Sequence, residues 1–302
     1  MRRSSRERGD DETEGDYRDM MKTTLECIPC LLKQALNAAR LATDDPAVQE
    51  QVLKSVMKEL LDVSFEHSPP FIAHIVYSVV KEVTGCEDPY EDLKIRYNHA
   101  AMEMYPRLKE IVDRSEDRLF TAAKLAIAGN IIDFGANMQF SVKKTIKDTL
   151  AREFAINDYS KFLDSLEHSK NILYLADNAG EVVFDRILLE EMTDYGDIVY
   201  AVKKAPIIND ATMDDALFCG IRPLAEIVTT SDTPGTILDR CDQEFIEIYR
   251  SSDMIISKGQ GNYESMSGEE GNIFFLLLAK CPVIASDLGV EIGDAVLKQM
   301  IA

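Results

Sequence analysis

Residues 171–210 read NILYLADNAGEVVFDRILLEEMTDYGDIVYAVKKAPIIND, and their pattern decides the fold. An apolar run, Ile172–Ala176, stops at Asp177-Asn178. Gly180 and a helical stretch follow. A second apolar run, Ile198–Val202, leads through a short loop to Asn209-Asp210. Apolar runs of this length bounded by turn signals read as buried strands, and the segment between them as a crossover helix. In a sheet of β-α-β units both pairs lie at or just beyond the carboxyl ends of neighbouring strands, where open α/β sheets place their ligands. Oxygens from Asp177, Asn178 and Asp210 suit a hard divalent cation that keeps several waters. One Asp at a strand end is ordinarily a turn former or helix cap. Two strand ends with an Asn/Asp pair each set a metal or phosphate site beside that plainer reading. Glu181, one helical turn from Asn178, could orient a ligand or a water, or simply favour the helix N-terminus by its charge.

Outward toward the C-terminus the alternation continues. Candidate strands are 171–176, 198–203, 225–230 and 253–257, with helices near 181–193, 211–218 and 236–250. This is the signature of a doubly wound α/β domain over residues 161–302. Ile273–Ala279 is a further apolar run, and Cys281–Ala285 follows too soon for another crossover helix, so a hairpin or a strand-to-helix turn is expected. Outward toward the N-terminus, residues 22–160 read as a helical domain. Leu25, Leu31, Leu32 and Ala35 recur at helical spacing, as do Val48, Val52, Val56 and Leu60. Further helices are expected over Phe71–Val83, Tyr90–Val112, Arg118–Asn130 and Ser141–Phe154. Residues 1–21 carry mixed charge and almost no apolar content and are expected to be a disordered tail. Met20 and Met21 raise the possibility of a start downstream of Met1.

Three other groups could carry chemistry. Ser257-Lys258-Gly259-Gln260-Gly261-Asn262 follows the strand Met254–Ile256. A lysine at a strand's carboxyl end, with glycines after it, can turn an ammonium and backbone N–H groups toward an anion; a solvated lysine before a turn is the plainer alternative. Cation plus lysine is the minimum equipment for phosphoryl transfer. Gly129-Asn130, Asp133 and Asn137 in GNIIDFGAN read first as a helix cap and turn, but could close the site if the helical domain folds over the strand ends. Cys27-Ile28-Pro29-Cys30 is a single CxxC. A structural zinc needs four ligands, and a thioredoxin-type pair would follow a strand, whereas this one opens a helical domain. No nucleophile elbow, Walker A loop, HExxH or Rossmann glycine loop is present.

The composition is that of a soluble globular chain, with 46% hydrophobic and 28% charged residues and a formal net charge of −20. That charge argues against nucleic acid and anionic membrane as partners. No run approaches a membrane span and no secretory signal stands at the N-terminus, so a cytoplasmic location is expected.

Six ordered blocks carry a resemblance: ECIPCLL (26–32), KLAIAGNIIDFG (124–135), LADNAGEVVFD (175–185), PIINDATMDDA (206–216), SKGQGNYE (257–264) and AKCPVIASDLGV (279–290). From about Met21 to the end the chain resembles the metal-dependent damage-control phosphatases, a family long catalogued as a domain of unknown function. The CxxC resembles the mark of a subfamily found in archaea and some bacteria. The resemblance implies a helical N-terminal domain on an α/β/α domain, and one divalent metal (Mn²⁺, Ni²⁺, Co²⁺ or Mg²⁺) held by Asp177, Asn178 and Asp210. It implies that Lys258 contacts a substrate phosphate; Asn130, Asp133, Asn209 and Gly259 are further candidates for binding that substrate. It also implies hydrolysis of small phosphorylated metabolites, often damaged or side-product ones. A metal-bound or carboxylate-activated water, oriented by Glu181, would attack; Asp177 as nucleophile is the alternative.

Two rival functions remain at this point. One is an S-adenosylmethionine-dependent carboxyl methyltransferase, against which the acidic, glycine-poor loop Asp177–Glu181 counts. The other is a non-catalytic metal or metabolite binder with the same oxygen ligands. Substrate, physiological metal and oligomeric state are not legible.

Overall fold

The structure is a computed structural model, described here for residues 21–129 and 150–301. The expected tail, most of the expected helix over 141–154, and Asn130, Asp133 and Asn137 lie outside the described residues.

The helical stretch forms α1 (Cys27–Ala42), α2 (Pro46–Leu60), α3 (Pro69–Thr84), α4 (Glu91–Asp113) and α5 (Arg118–Ala128). Their starts follow local chemistry. The Asp45 side chain caps α2 ahead of Pro46, Asp117 caps α5, and Gly85 in a left-handed conformation ends α3. Pro in the first turn forfeits no hydrogen bond, because that N–H has no partner within the helix.

The remainder alternates. After β1 (Ile156–Asn157) and α6 (Tyr159–His168) come β2 (Asn171–Leu175), α7 (Val182–Met192), β3 (Asp197–Val202), α8 (Met213–Phe218) and β4 (Glu226–Thr229). Then follow α9 (Gln243–Ser251), β5 (Met254–Lys258), α10 (Gly259–Met266), β6 (Asn272–Leu278), α11 (Pro282–Leu288) and β7 (Ala295–Ile301). The strands form one sheet in the order β1-β7-β6-β5-β2-β3-β4. From β6 to β4 every pairing is parallel; β7 runs antiparallel to β6. The Cys281 run is thus a strand-to-helix turn, and α11 leads to an antiparallel strand.

The expected helix over 236–250 is shorter. It occupies only Gln243–Ser251, preceded by a 3-10 turn at Leu238–Arg240. The missing turns have a physical reason. Thr236 donates its backbone N–H to Ser265 Oγ and its hydroxyl to Asn262 Oδ1, so this stretch is tied to α10 instead of closing helical bonds.

Both sheet faces are buried, as continuous apolar strands require. Ile172, Tyr174, Ile198, Tyr200, Met254, Ile256, Phe274 and Leu276 pack on one face against α4, α5, α6 and α7. Leu173, Leu175, Ile255, Ile273, Phe275 and Leu277 pack on the other against α9, α10 and α11. Helices α1, α2 and α3 build their own apolar cluster, which takes in Ile207 from the loop after β3. Among the described residues no helix is long and apolar enough to cross a membrane.

Candidate active site

The strand order sets the location. From β2 the chain moves to β3 on one side, while β5 lies on the other side of β2. This reversal opens a crevice at the carboxyl ends of β2 and β5, the usual ligand position of such sheets. Asp177 leaves the end of β2, and Lys258 is the last residue of β5.

The loops after β2 and β3 are locked together. Asn178 and Asp210 form an antiparallel bridge, with Ala179 N donating to Asn209 O (2.8 Å) and Ala211 N to Asp177 O (2.8 Å). The two Asn/Asp pairs expected at separate strand ends therefore sit side by side. Ile208 has φ +47°, a left-handed conformation that a β-branched side chain rarely adopts. Such strain persists where packing over-determines it, and both Ile207 and Ile208 pack into the cluster of α1–α3.

Asn178 Nδ2 donates to Asp177 Oδ2 and Glu181 Oε1, both at 2.8 Å. Its Oδ1 accepts from no described residue. That leaves one amide oxygen beside two carboxylates, a donor set that fits a hard cation completing its shell with water. Among the described residues no group of three or more His, Cys, Asp or Glu gathers into a metal cluster, so Asn178 and solvent would have to supply the remaining ligands.

Electrostatics support the same reading. Burial, then Glu181 and Asp210, hold the Asp177 carboxyl well above its usual range, against the pull of Lys280 and Lys258. Burial raises Asp210 to about 6, with Lys203 opposing and Glu181 reinforcing the shift. Clustered carboxylates with raised pKa values mark a place where an external positive charge is favoured.

Lys258 is 1% exposed. Its Nζ lies 2.7 Å from Asp185 Oδ1 and 3.5 Å from Glu181 Oε2. Burial works against its charge, but Asp185 and Glu181 outweigh burial and keep its pKa above the usual lysine value. Asp185 also accepts from Tyr174 OH (2.7 Å) and Tyr200 OH (2.8 Å). Gly259 follows with φ +80°, and a Cβ there would stand 2.0 Å from Asp177 Oδ2. Only glycine lets the β5 loop pass this close to the carboxylate.

Several residues of the site escape a sequence reading. Asn262 donates to Ala176 O (3.0 Å) and Lys258 O (2.8 Å), tying β2 to β5. Lys203 lies 3.9 Å from Asp210 and also donates to Gly235 O. From α4, Asn98 accepts from Gly180 N (2.7 Å) and donates to Asp215 Oδ1 (2.6 Å). Lys203 had a signal, since it follows β3 as Lys258 closes β5. Asp185 had one too, as a lone acid on the apolar face of VVFDRILLEEM. Asn98 had none, because its contacts span about a quarter of the chain or more.

Comparisons with known proteins bear on the family and the fold. The family described as the damage-control phosphatase ARMT1-like domain matches residues 23–296. The chain is 40% identical to the uncharacterized protein MJ0202 of Methanocaldococcus jannaschii, over 92% of this chain and 96% of that one. It is 35% identical to a damage-control phosphatase of Archaeoglobus fulgidus, over 92% and 99% of the two chains. A crystal structure of a DUF89 family protein from Pyrococcus horikoshii superposes with a TM-score of 0.84 at 31% identity, covering 92% of this chain and 99% of that one. With the fold, the crevice and these matches in agreement, the chain belongs to the damage-control phosphatase family with the ARMT1-like domain.

Proposed function

We propose that the protein is a metal-dependent phosphomonoesterase acting on small phosphorylated metabolites, with Asp177, Asn178 and Asp210 as metal ligands. The observation that carries this reading is the bridge that sets Asp177 and Asp210 side by side at the switch point, with Asn178 Oδ1 left without a described partner. Mn²⁺, Ni²⁺, Co²⁺ and Mg²⁺ are the candidate ions. When bound, such an ion would polarise a phosphoryl oxygen as a Lewis acid.

The chain's own groups do the rest. Glu181, fixed by Asn178 and Lys258, orients the attacking water and takes its proton. Asp177 is the alternative nucleophile, but a carboxylate shared between a metal and Asn178 is poorly free to attack. Lys258 spends its charge on Asp185 and Glu181, so its part is to hold Glu181 and to lend positive field to the phosphate. The N-terminus of α10 offers the backbone N–H groups after Gly259 to the same anion. Lys280 is exposed and its charge reaches Asp177, which adds a cation at the mouth of the crevice. Asn209 contributes through its backbone carbonyl, which holds Ala179.

The test is hydrolysis of p-nitrophenyl phosphate by chelator-stripped protein with single metals restored, beside Asp177→Ala and Lys258→Ala proteins of confirmed fold. Activity returned by one or two metals and missing from Asp177→Ala supports the reading. Tight metal binding without turnover of this ester or any member of a phosphometabolite panel would turn it toward a non-catalytic binder.

A further inference from the structure

The CxxC pair plays no part in the chemistry above, yet its placement is that of two thiols able to close a disulfide. Cys27 and Cys30 occupy the first and fourth positions of α1. Helical spacing places such residues about 5 Å apart at Cα, inside the window of about 4.4–6.8 Å that a disulfide spans. Pro29 sits between them in the first turn, where its missing N–H is harmless and its fixed φ stiffens the pair. Cys30 is exposed and Cys27 is half-buried. One thiol can therefore meet an incoming disulfide while the other waits behind it.

Two further observations point the same way. Gln34 Nε2 donates to Cys30 Sγ at 3.2 Å, and Gln34 Oε1 accepts from Tyr77 OH at 3.1 Å. Tyr77 packs in the α1–α3 cluster with Ile207 and Ile208, on the loop that leads to Asp210, so a chain of contacts runs from the exposed sulfur to the wall of the crevice. On the inner side, Cys281 at the N-cap of α11 lies within the electrostatic reach of both Cys27 and Glu264.

We propose that Cys27 and Cys30 form a reversible dithiol–disulfide site for low-molecular-weight disulfides, and that its state is passed to Asp210 through Gln34 and Tyr77. The Cys30 thiolate attacks one sulfur of the small disulfide, forming a mixed disulfide with it and expelling the other sulfur as a thiolate. Cys27 then attacks the Cys30 sulfur of the mixed disulfide and releases the second. Two protein thiols and one small disulfide become one protein disulfide and two small thiols, with both protons carried to the leaving groups. Closing the Cys27–Cys30 bond turns Cys30 Sγ away from Gln34 and frees Tyr77. The exchange chemistry stands by itself, whereas its transmission rests on the metal reading of Asp210.

The full chain is equilibrated with glutathione disulfide and glutathione at graded ratios, quenched by alkylation, and mapped by peptide mass. The expected result is a Cys27–Cys30 disulfide that forms and reverses with the ratio. It is absent from Cys30→Ser and retained in Cys281→Ala. Thiols that stay reduced or stop at the mixed disulfide, or a bond from Cys27 to Cys281 instead, overturn the dithiol site. Mn²⁺ titration of the reduced and oxidised protein then reads the relay. A change of about fivefold or more in affinity is expected, the lower end of ordinary coupling between sites. Equal affinities overturn the relay and leave the dithiol standing, and no Mn²⁺ binding in either state would count against the metal reading itself.

Discussion

Asp185 is the residue on which the crevice floor depends. It is fully buried and accepts from Tyr174, Tyr200 and Lys258. Asp185→Ala would leave Lys258 with only the longer contact to Glu181 and two buried hydroxyls without their acceptor, and removing one partner of a buried pair costs about 3–5 kcal/mol. Tyr174→Phe removes one donor and leaves two, so about 1 kcal/mol is expected. Urea unfolding of the two variants should show this order, and equal effects would mean that Asp185 is not the common acceptor. Gly259→Ala acts differently. It places a Cβ 2.0 Å from Asp177 Oδ2 at φ +80°. The left-handed conformation alone costs on the order of 1–3 kcal/mol, and the clash displaces the carboxylate. Metal-supported phosphatase activity should fall further than stability does, which a melting curve beside an activity assay would separate.

At the scale of elements, α4 reaches across the fold through Asn98. Its side chain satisfies Gly180 N in the β2–α7 turn and holds Asp215, the acid that closes the capping box of Thr212 at the start of α8. Asn98→Ala would leave a buried N–H without a partner and loosen two turns at once. A loss of about 1–3 kcal/mol is expected, together with weaker Mn²⁺ binding in a calorimetric titration. This element also shows where sequence stops being informative. The runs Ile172–Ala176 and Ile198–Val202 announced their strands because burial on both faces demands unbroken apolar residues. Asp177, Asn178 and Asp210 were legible because polar residues at strand ends stand out. That β5 pairs with β2 on the side away from β3 was not legible, since pairing depends on which faces the helices cover. Residues 236–242 read as helix in the sequence because helical spacing says nothing of Thr236 bonding to Asn262 and Ser265. Asn98 is beyond any local pattern, because its partners come from distant parts of the chain.

The whole molecule carries a formal charge of −20, and its site concentrates part of that charge. Self-repulsion destabilises the compact state, and salt screens it: the Debye length falls from about 30 Å at 0.01 M to about 8 Å at 0.15 M. The melting temperature in chelator should rise with salt over that range, and a flat profile would mean that local pairs dominate. The dependence on pH is sharper. Asp210 titrates near about 6 in the folded protein against an ordinary 3.8, chiefly through burial. Its ionisation is therefore resisted by folding. The favourable contribution is complete below pH 4 or so and is lost as pH rises through the folded value, on the order of 3 kcal/mol in all. Asp210→Asn removes this dependence, and Lys203 keeps the Gly235 carbonyl as a partner in the variant. In chelator, wild type and variant should be about equally stable below about pH 4, with the variant pulling ahead as pH rises from about 4 to about 6 and the gap constant above that. Mn²⁺ at about 1,000 times its Kd should reverse the order at neutral pH, because it adds about 4.1 kcal/mol to the protein that binds it, more than the gap of about 3 kcal/mol. If Mn²⁺ stabilises both proteins alike, Asp210 is not a metal ligand and the ion binds elsewhere. If the variant gains nothing in chelator at high pH, the Asp210 carboxylate is already neutralised by Lys203, and the crevice has less need of an external cation.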